Sequence, residues 1–183
     1  MLEEILAYNR RFVENGEYEH YRTTRYPDKK MVILSCMDTR LIELLPKAMN
    51  LKNGDAKIVK NAGAIVTQPF GNVMRSILVA LYKLKAREVY VIGHHDCGMT
   101  GLNADEMIDK MLENGVQPEV LTTLKNAGIQ LKSWLRGFNS VHESVESSVS
   151  IIRNHPLLPK GVLVHGLIID PLTGELEVVT EGR

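Results

Sequence analysis

The chain has 183 residues, of which 44% are hydrophobic and 24% are charged, as is typical of a globular protein. Its 22 basic and 22 acidic residues cancel, so no net charge attracts nucleic acid or an anionic membrane. No apolar run approaches the roughly 20 residues that a membrane-spanning helix requires, and the acidic amino terminus does not resemble a signal peptide. We therefore expect a single cytoplasmic domain (1–183) that binds neither nucleic acid nor membrane.

The amino-terminal segment is predicted to be a helical arm. Apolar residues at helical spacing predict a helix over residues 2–15, and the polar stretch 16–30 separates it from the first strand. We therefore divide the chain into an arm (1–30) and an α/β core (31–183). Because the apolar face of the arm needs cover, we expect it to pack across a homodimer.

The core alternates short apolar strands with helices. Strands are predicted at 31–35, 57–60, 88–92, 161–169 and 175–180. Helices are predicted at 41–50, 73–84 with Asn72 as N-cap, 103–114, 118–126, 129–136 and 141–153. This alternation predicts an α/β fold: a parallel sheet of order 2-1-3-4 flanked by helices, with an added C-terminal hairpin strand.

Ionisable residues follow the first and third strands, at the edge where such sheets bind ligands. If the first strand stays extended at its tip, Cys36, Asp38 and Arg40 point to the same side. The third strand runs into His94 and Cys97. Because zinc binds thiolate and imidazole well, these two strand ends predict a zinc site.

The two cysteines have two other interpretations, as unrelated buried thiols or as a disulfide. A disulfide is disfavoured in a cytosolic enzyme of this size. Both Cys36 and Cys97 lie at the ends of apolar strands beside ionisable residues, which favours a metal site. With His94 they provide three ligands and leave a fourth position for water or substrate, as in catalytic zinc sites.

Asp38 has two alternative partners that exclude each other. It can ligate zinc as a fourth ligand, which closes the site, or it can form a bidentate pair with Arg40. In the second arrangement the fourth position takes a water, whose pKa the metal lowers towards neutrality. Activity that depends on this water is then expected to rise from neutral to alkaline pH. A closed form, if this site adopts one, is expected to dominate at lower pH, and an always-open site is favoured over a switching one.

The motifs Cys-Met-Asp-Thr-Arg at 36–40 and His-His-Asp-Cys-Gly at 94–98 resemble those of β-class carbonic anhydrases, especially the small archaeal-type branch. The stretches 54–57 and 60–63 are also similar to that family. The resemblance implies that Cys36, His94 and Cys97 hold Zn²⁺ and that Asp38 and Arg40 form a catalytic dyad. It further implies reversible hydration of carbon dioxide to bicarbonate, in a homodimer or dimer of dimers with active sites at the subunit interface.

The chain departs from that family pattern at two places. Ala64 stands where many members have Asn, and residues 25–28 contain no Gln of the kind that plant-type members place near the substrate. These departures limit the subgroup of the family to which the chain can belong, and they say less about its activity. The extra imidazole of His95 is expected to have a structural role rather than to shuttle protons.

Other functions compete with this interpretation. A related enzyme could hydrolyse another heterocumulene, carbonyl sulfide or carbon disulfide, with the same activated water. A non-catalytic protein of the same fold could bind zinc or bicarbonate, although the intact Asp38 and Arg40 argue against it. A redox protein is disfavoured by the lack of a Cys-x-x-Cys pair, and a nucleotide-binding domain by the lack of a Gly-rich phosphate loop.

Overall fold

The computed structural model describes residues 1–182 and contains one sheet of five strands in the order β2-β1-β3-β4-β5. The strands are β1 (Met31–Cys36), β2 (Ala56–Asn61), β3 (Glu88–His94), β4 (Leu163–Ile169) and β5 (Leu176–Thr180). The first four strands run parallel, and β5 pairs antiparallel with β4. The predicted strand order and the terminal hairpin are thus confirmed, while the predicted domain end at residue 183 lies outside the described residues.

Residues 1–182 contain seven α-helices. They are α1 (Leu2–Glu14), α2 (Leu44–Ala48), α3 (Asn72–Tyr82), α4 (Ala104–Glu113), α5 (Pro118–Asn126), α6 (Leu131–Leu135) and α7 (Val141–Arg153). None of these helices combines the length and the apolar character needed to cross a bilayer.

Three predicted helix boundaries were wrong for local reasons. Gly71, not Asn72, is the N-cap of α3, and Asn72 is the first helical residue. Helix α6 begins later than predicted because the amide of Ile129 donates to the carbonyl of Leu124 and so closes the end of α5. The helix predicted at 41–50 is a 3₁₀ turn followed by α2, in which Pro46 occupies the first turn and so removes no intrahelical bond.

The central strands of the sheet, β1, β3 and β4, are largely buried on both faces. Val32, Ile33 and Leu34 of β1 are fully buried, as expected for a parallel strand with helices on both sides. Burial of each such side chain contributes about 1.5–3 kcal/mol. One core cluster lies beneath α3 and α7, and a second surrounds Ile33 and includes Cys36 and Cys97. The two thiols therefore belong to the packed interior at the carboxyl end of the sheet.

Candidate metal centre

The carboxyl ends of β1 and β3 bring the predicted ligands together. These strands are parallel neighbours, with Ser35 aligned to Ile92, so Cys36 and His94 emerge at the same edge of the sheet. A turn after β3, in which Asp96 adopts φ 52°, returns the chain and places Cys97 beside them. The ligand atoms of Cys36, His94 and Cys97 lie within 4.8 Å of one another, and all three residues are buried.

The two cysteines are free thiols. Their Sγ atoms lie 3.9 Å apart, almost twice the roughly 2.05 Å of a disulfide bond. The backbone amide of Gly63 donates to the Cys36 sulfur over 3.3 Å. This geometry leaves both sulfurs able to ligate one metal ion.

His94 supplies the test of whether a metal fits here. Its Nδ1 lies 2.7 Å from the carbonyl oxygen of His95, and because a carbonyl only accepts, Nδ1 carries the proton. The other ring nitrogen, Nε2, is then an acceptor, and it is buried with no hydrogen-bond partner within residues 1–182. A buried polar atom without a partner is costly. A metal held between Nε2 and the two sulfurs satisfies it, so the residues fit a zinc ion.

The two thiols ionise very differently. Burial raises the pKa of Cys36, but the protonated form of the neighbouring His94 ring and the amide of Gly63 outweigh it and lower that pKa to about 7. Burial, together with the negative charge on Cys36, raises the pKa of Cys97 to about 11. Because two adjacent thiolates repel each other, both ionise together only when a cation lies between them.

Asp38 and Arg40 form a bidentate ion pair beside these ligands. Arg40 Nε donates to Asp38 Oδ1 over 3.0 Å, and Nη2 donates to Oδ2 over 2.8 Å. These hydrogen bonds lower the pKa of Asp38 to about 2, so the carboxylate is ionised at neutral pH. Asp38 Oδ2 lies 3.8 Å from His94 Nε2, which places it at the margin of the ligand cluster.

The first strand does not stay extended through residues 36–40, which was the condition under which Cys36, Asp38 and Arg40 were expected to point to the same side. β1 ends at Cys36, and Asp38 instead caps a 3₁₀ turn at Thr39–Leu41 by accepting a hydrogen bond from the Arg40 amide over 2.9 Å. Asp has a strong preference for such caps because its carboxylate satisfies a free backbone amide. The turn brings the Arg40 side chain back onto Asp38, so the predicted pair forms for a different reason.

Sequence analysis did not identify Asp96 or Lys60 as parts of the site. Asp96 binds the other side of Arg40, with Oδ2 at 2.8 Å from Nη1 and its carbonyl oxygen at 2.9 Å from Nη2. Lys60 Nζ donates to the carbonyl of Cys36 over 3.2 Å. The position of Asp96 between His94 and Cys97 was a usable signal, whereas Lys60 lies on β2 and its proximity depends on sheet register.

His95 lies outside the ligand cluster. Its side chain is about half exposed, and Nε2 lies 4.0 Å from Glu177 Oε2 on β5. Its carbonyl, not its ring, contacts the site, since that oxygen accepts from His94. The described geometry therefore gives His95 a positioning contact through its backbone.

This fold and this cluster are those of a β-class carbonic anhydrase. The family model described as carbonic anhydrase matches residues 31–176, and the chain belongs to that family. The resemblance seen in the two motifs is thus confirmed.

Individual relatives agree with this assignment. The Bacillus subtilis protein named "Putative carbonic anhydrase YvdA" is 62% identical over 181 residues, which cover 99% of this chain and 92% of that protein. The crystal structure of β-carbonic anhydrase isoform I from Trichomonas vaginalis superposes with a TM-score of 0.89 at 31% identity, covering 100% of this chain and 99% of that one. A carbon disulfide hydrolase of Saccharolobus solfataricus is 30% identical over 161 residues, which cover 81% of this chain and 76% of that protein.

Proposed function

We propose that this protein is a zinc-dependent enzyme that reversibly hydrates carbon dioxide to bicarbonate. The observation that carries the proposal is the buried cluster of Cys36, His94 and Cys97 with one unsatisfied imidazole nitrogen. These three residues would hold the zinc, which when bound supplies a Lewis acid that activates water near neutral pH. Three protein ligands leave one position for that water.

Asp38 is proposed to orient the attacking water. Arg40 occupies both carboxylate oxygens of Asp38, which favours the open arrangement of the site over ligation of zinc by Asp38. An ionised carboxylate accepts hydrogen bonds only, so it can fix a water by one of its protons. Arg40 holds Asp38 in place, and Asp96 in turn holds Arg40. This chain of contacts fixes the position of the acceptor before substrate arrives.

Metal analysis and carbon dioxide hydration on the same purified protein test this function. We expect about one zinc per chain and stopped-flow hydration that scales with zinc content. A protein loaded with zinc that hydrates carbon dioxide no faster than buffer would refute the proposal. If the protein purified under reducing conditions contains no zinc, only the assignment of Cys36, His94 and Cys97 as zinc ligands is refuted.

Carbon disulfide hydrolysis is the second candidate function. It is favoured by the 30% identity to the hydrolase of Saccharolobus solfataricus. The reaction consumes two waters and gives carbon dioxide and two molecules of hydrogen sulfide, so it can use the same oriented water. Sulfide release from carbon disulfide, measured beside hydration on one preparation, separates the two substrates.

We also propose that the protein is a homodimer in which α1 lies across the partner. No residue of α1 is buried in the single chain, and its exposed apolar side chains include Leu2, Ile5, Leu6 and Val13. Such a face is expected to be covered in solution. Light scattering should show a dimer for the full chain and a weaker one after deletion of residues 1–16, whereas a full-length monomer at micromolar concentration would refute this assembly.

We further propose a cytoplasmic location for the enzyme. The proposed zinc ligands include two thiols, and the cytoplasm keeps thiols reduced. Cell fractionation followed by immunodetection tests this location, and recovery from an oxidising compartment would contradict it.

A further inference from the structure

A second concave site lies at the opposite end of the sheet from the metal cluster. A cavity of about 420 Å³ opens where the chain enters β1, β3 and β4. Its floor is apolar and includes the buried residues Leu81 and Ala86 and the half-buried Val162. Its volume is in the range of small-molecule pockets. The cavity is remote from the residues proposed to bind zinc.

The rim of this cavity carries only positive charge. Lys30, Lys85, Arg87 and Lys160 line it, and no acidic residue does. None of these four forms a salt bridge with a carboxylate of residues 1–182. In a chain with no net charge, four cations gathered without a counterion form a local site for an anion.

The backbone at the rim is held in uncommon conformations. Lys30 and Lys85 have φ 53° and φ 64°, in the left-handed region that glycine normally occupies. Lys85 lies three residues after the end of α3, in the turn where the Ala86 amide donates to the Ala80 carbonyl over 3.0 Å. Backbone strain of this kind clusters at functional sites, which makes the two lysines candidates for a functional role.

The rim is also tied together before any ligand binds. The carbonyl of Lys30 accepts from the amides of Arg87 and Glu88 over 2.6 and 3.3 Å, which joins the entrances of β1 and β3. The Tyr82 hydroxyl donates to the Leu157 carbonyl over 3.0 Å and fixes a third side. The ammonium of Lys85 lies 4.5 Å from the centre of the Tyr26 ring. A preformed rim lowers the entropic cost of holding a ligand.

We propose that this cavity binds a phosphorylated small molecule. Four cations exceed the charge of a monovalent anion such as bicarbonate and suit a phosphate or diphosphate group, to which Lys and Arg bind well. The apolar floor suits the remaining, uncharged part of such a ligand. The cations surround a concave cavity rather than cover a flat face, which favours a small molecule over a membrane or nucleic acid.

Calorimetric titration of the zinc-loaded protein with inorganic pyrophosphate at low ionic strength tests the site. We expect saturable binding of one pyrophosphate per chain, weakened by at least about tenfold in Lys85→Gln/Arg87→Gln because two charge-assisted contacts are lost. The matched control is Lys110→Gln/Lys125→Gln, which removes the same charge from exposed positions on α4 and α5. Its affinity should equal that of the wild type.

Three results would overturn this proposal. They are absence of saturable binding, wild-type affinity in Lys85→Gln/Arg87→Gln, and equal weakening in the control, which would indicate a general charge effect. Lys85→Gly provides a second variant that relieves the strained backbone, so a folded protein with reduced affinity is expected from it. Because heat of binding is the readout, the outcome does not depend on whether the enzyme hydrates carbon dioxide.

Discussion

At the carboxyl end of the sheet the ionisable groups are buried or bonded to one another, whereas at the amino end four exposed cations surround a cavity that no carboxylate lines. At the carboxyl end the charged side chains pair with one another, and Arg40 alone binds both Asp38 and Asp96. The amino end leaves its charge open to solvent. The sheet thus has a site of fixed geometry at its carboxyl end, and at its amino end a site whose cations have no counterion among the residues that line it.

The comparison also shows which contacts matter energetically. The contact between Arg40 and Asp38 is bidentate with the carboxylate side chain 17% exposed, while the Asp96 side chain on the other side of Arg40 is 84% exposed. Exposed ion pairs contribute only about 0–1 kcal/mol. We therefore expect substitutions at the carboxyl end to change zinc content and activity by very different amounts, depending on the contact that is removed. Substitutions at the amino end should change the stability of the fold only slightly.

The largest effect is expected from Cys97→Ser. Loss of one of three ligands should reduce bound zinc from about one per chain to a small fraction, and activity should be lost with it. Because metal binding stabilises the folded state by mass action, chelation should lower the melting temperature of the wild type by several degrees but leave the variant unchanged. Zinc analysis and thermal unfolding check this, and stoichiometric zinc in Cys97→Ser would show that Cys97 is not a ligand.

The second largest effect is expected from Arg40→Ala. Without the guanidinium, Asp38 is free to move or to ligate zinc, and we expect the hydration rate to fall by about a hundredfold or more with zinc retained. Asp96→Asn is the matched control at the exposed side of Arg40, and its rate should stay within about fivefold of the wild type. Stopped-flow hydration rates, measured together with zinc content, compare the two variants with the wild type. Equal rates in Arg40→Ala and wild type would exclude a catalytic role for the ion pair of Asp38 and Arg40.

Lys85→Gly at the amino end should increase stability. Removal of a left-handed non-glycine conformation gains roughly 1–2 kcal/mol, and loss of the exposed contact with Tyr26 costs about 0.5–1 kcal/mol. A net gain of about 1 kcal/mol raises the melting temperature by about 2–4 °C. Lys83→Gly, whose residue has φ −99°, is the control and should be destabilising. A fall in melting temperature for Lys85→Gly would mean that its backbone is not strained.

The smallest effect concerns Asp170, in the turn after β4. Its carboxylate accepts from the amides of Leu172 and Thr173 over 2.7 and 2.9 Å, and these bonds lower its pKa below the ordinary 3.8. A lowered pKa means that its stabilising contribution is present above pH 3.8 and is lost as pH falls through the folded-state value. Urea unfolding should therefore separate wild type from Asp170→Asn near neutral pH, and the gap should shrink below pH 3.8; a constant gap would contradict this.

The sequence allowed the fold and the ligand cluster to be predicted because both depend on local signals. Apolar strands that end in Cys36 and His94 define the sheet edge, and the alternation of strands with helices indicates a parallel sheet, for which the predicted order is the one observed. The 3₁₀ turn at Thr39–Leu41 was missed because it is only three residues long. A hydrogen bond from the backbone to the Asp38 side chain favours it over continued strand, and so short a segment has no periodic pattern to indicate it. The approach of Lys60 depends on the register between strands, and the cation cavity depends on three segments that are far apart in sequence.

The central claim is that the cluster at the carboxyl end is a zinc centre that hydrates carbon dioxide. Its most direct test is stopped-flow hydration by one preparation titrated with zinc after chelation. The account predicts that activity rises linearly with added zinc and saturates at about one zinc per chain. Zinc bound at that stoichiometry with a hydration rate that stays at the level of buffer would contradict it.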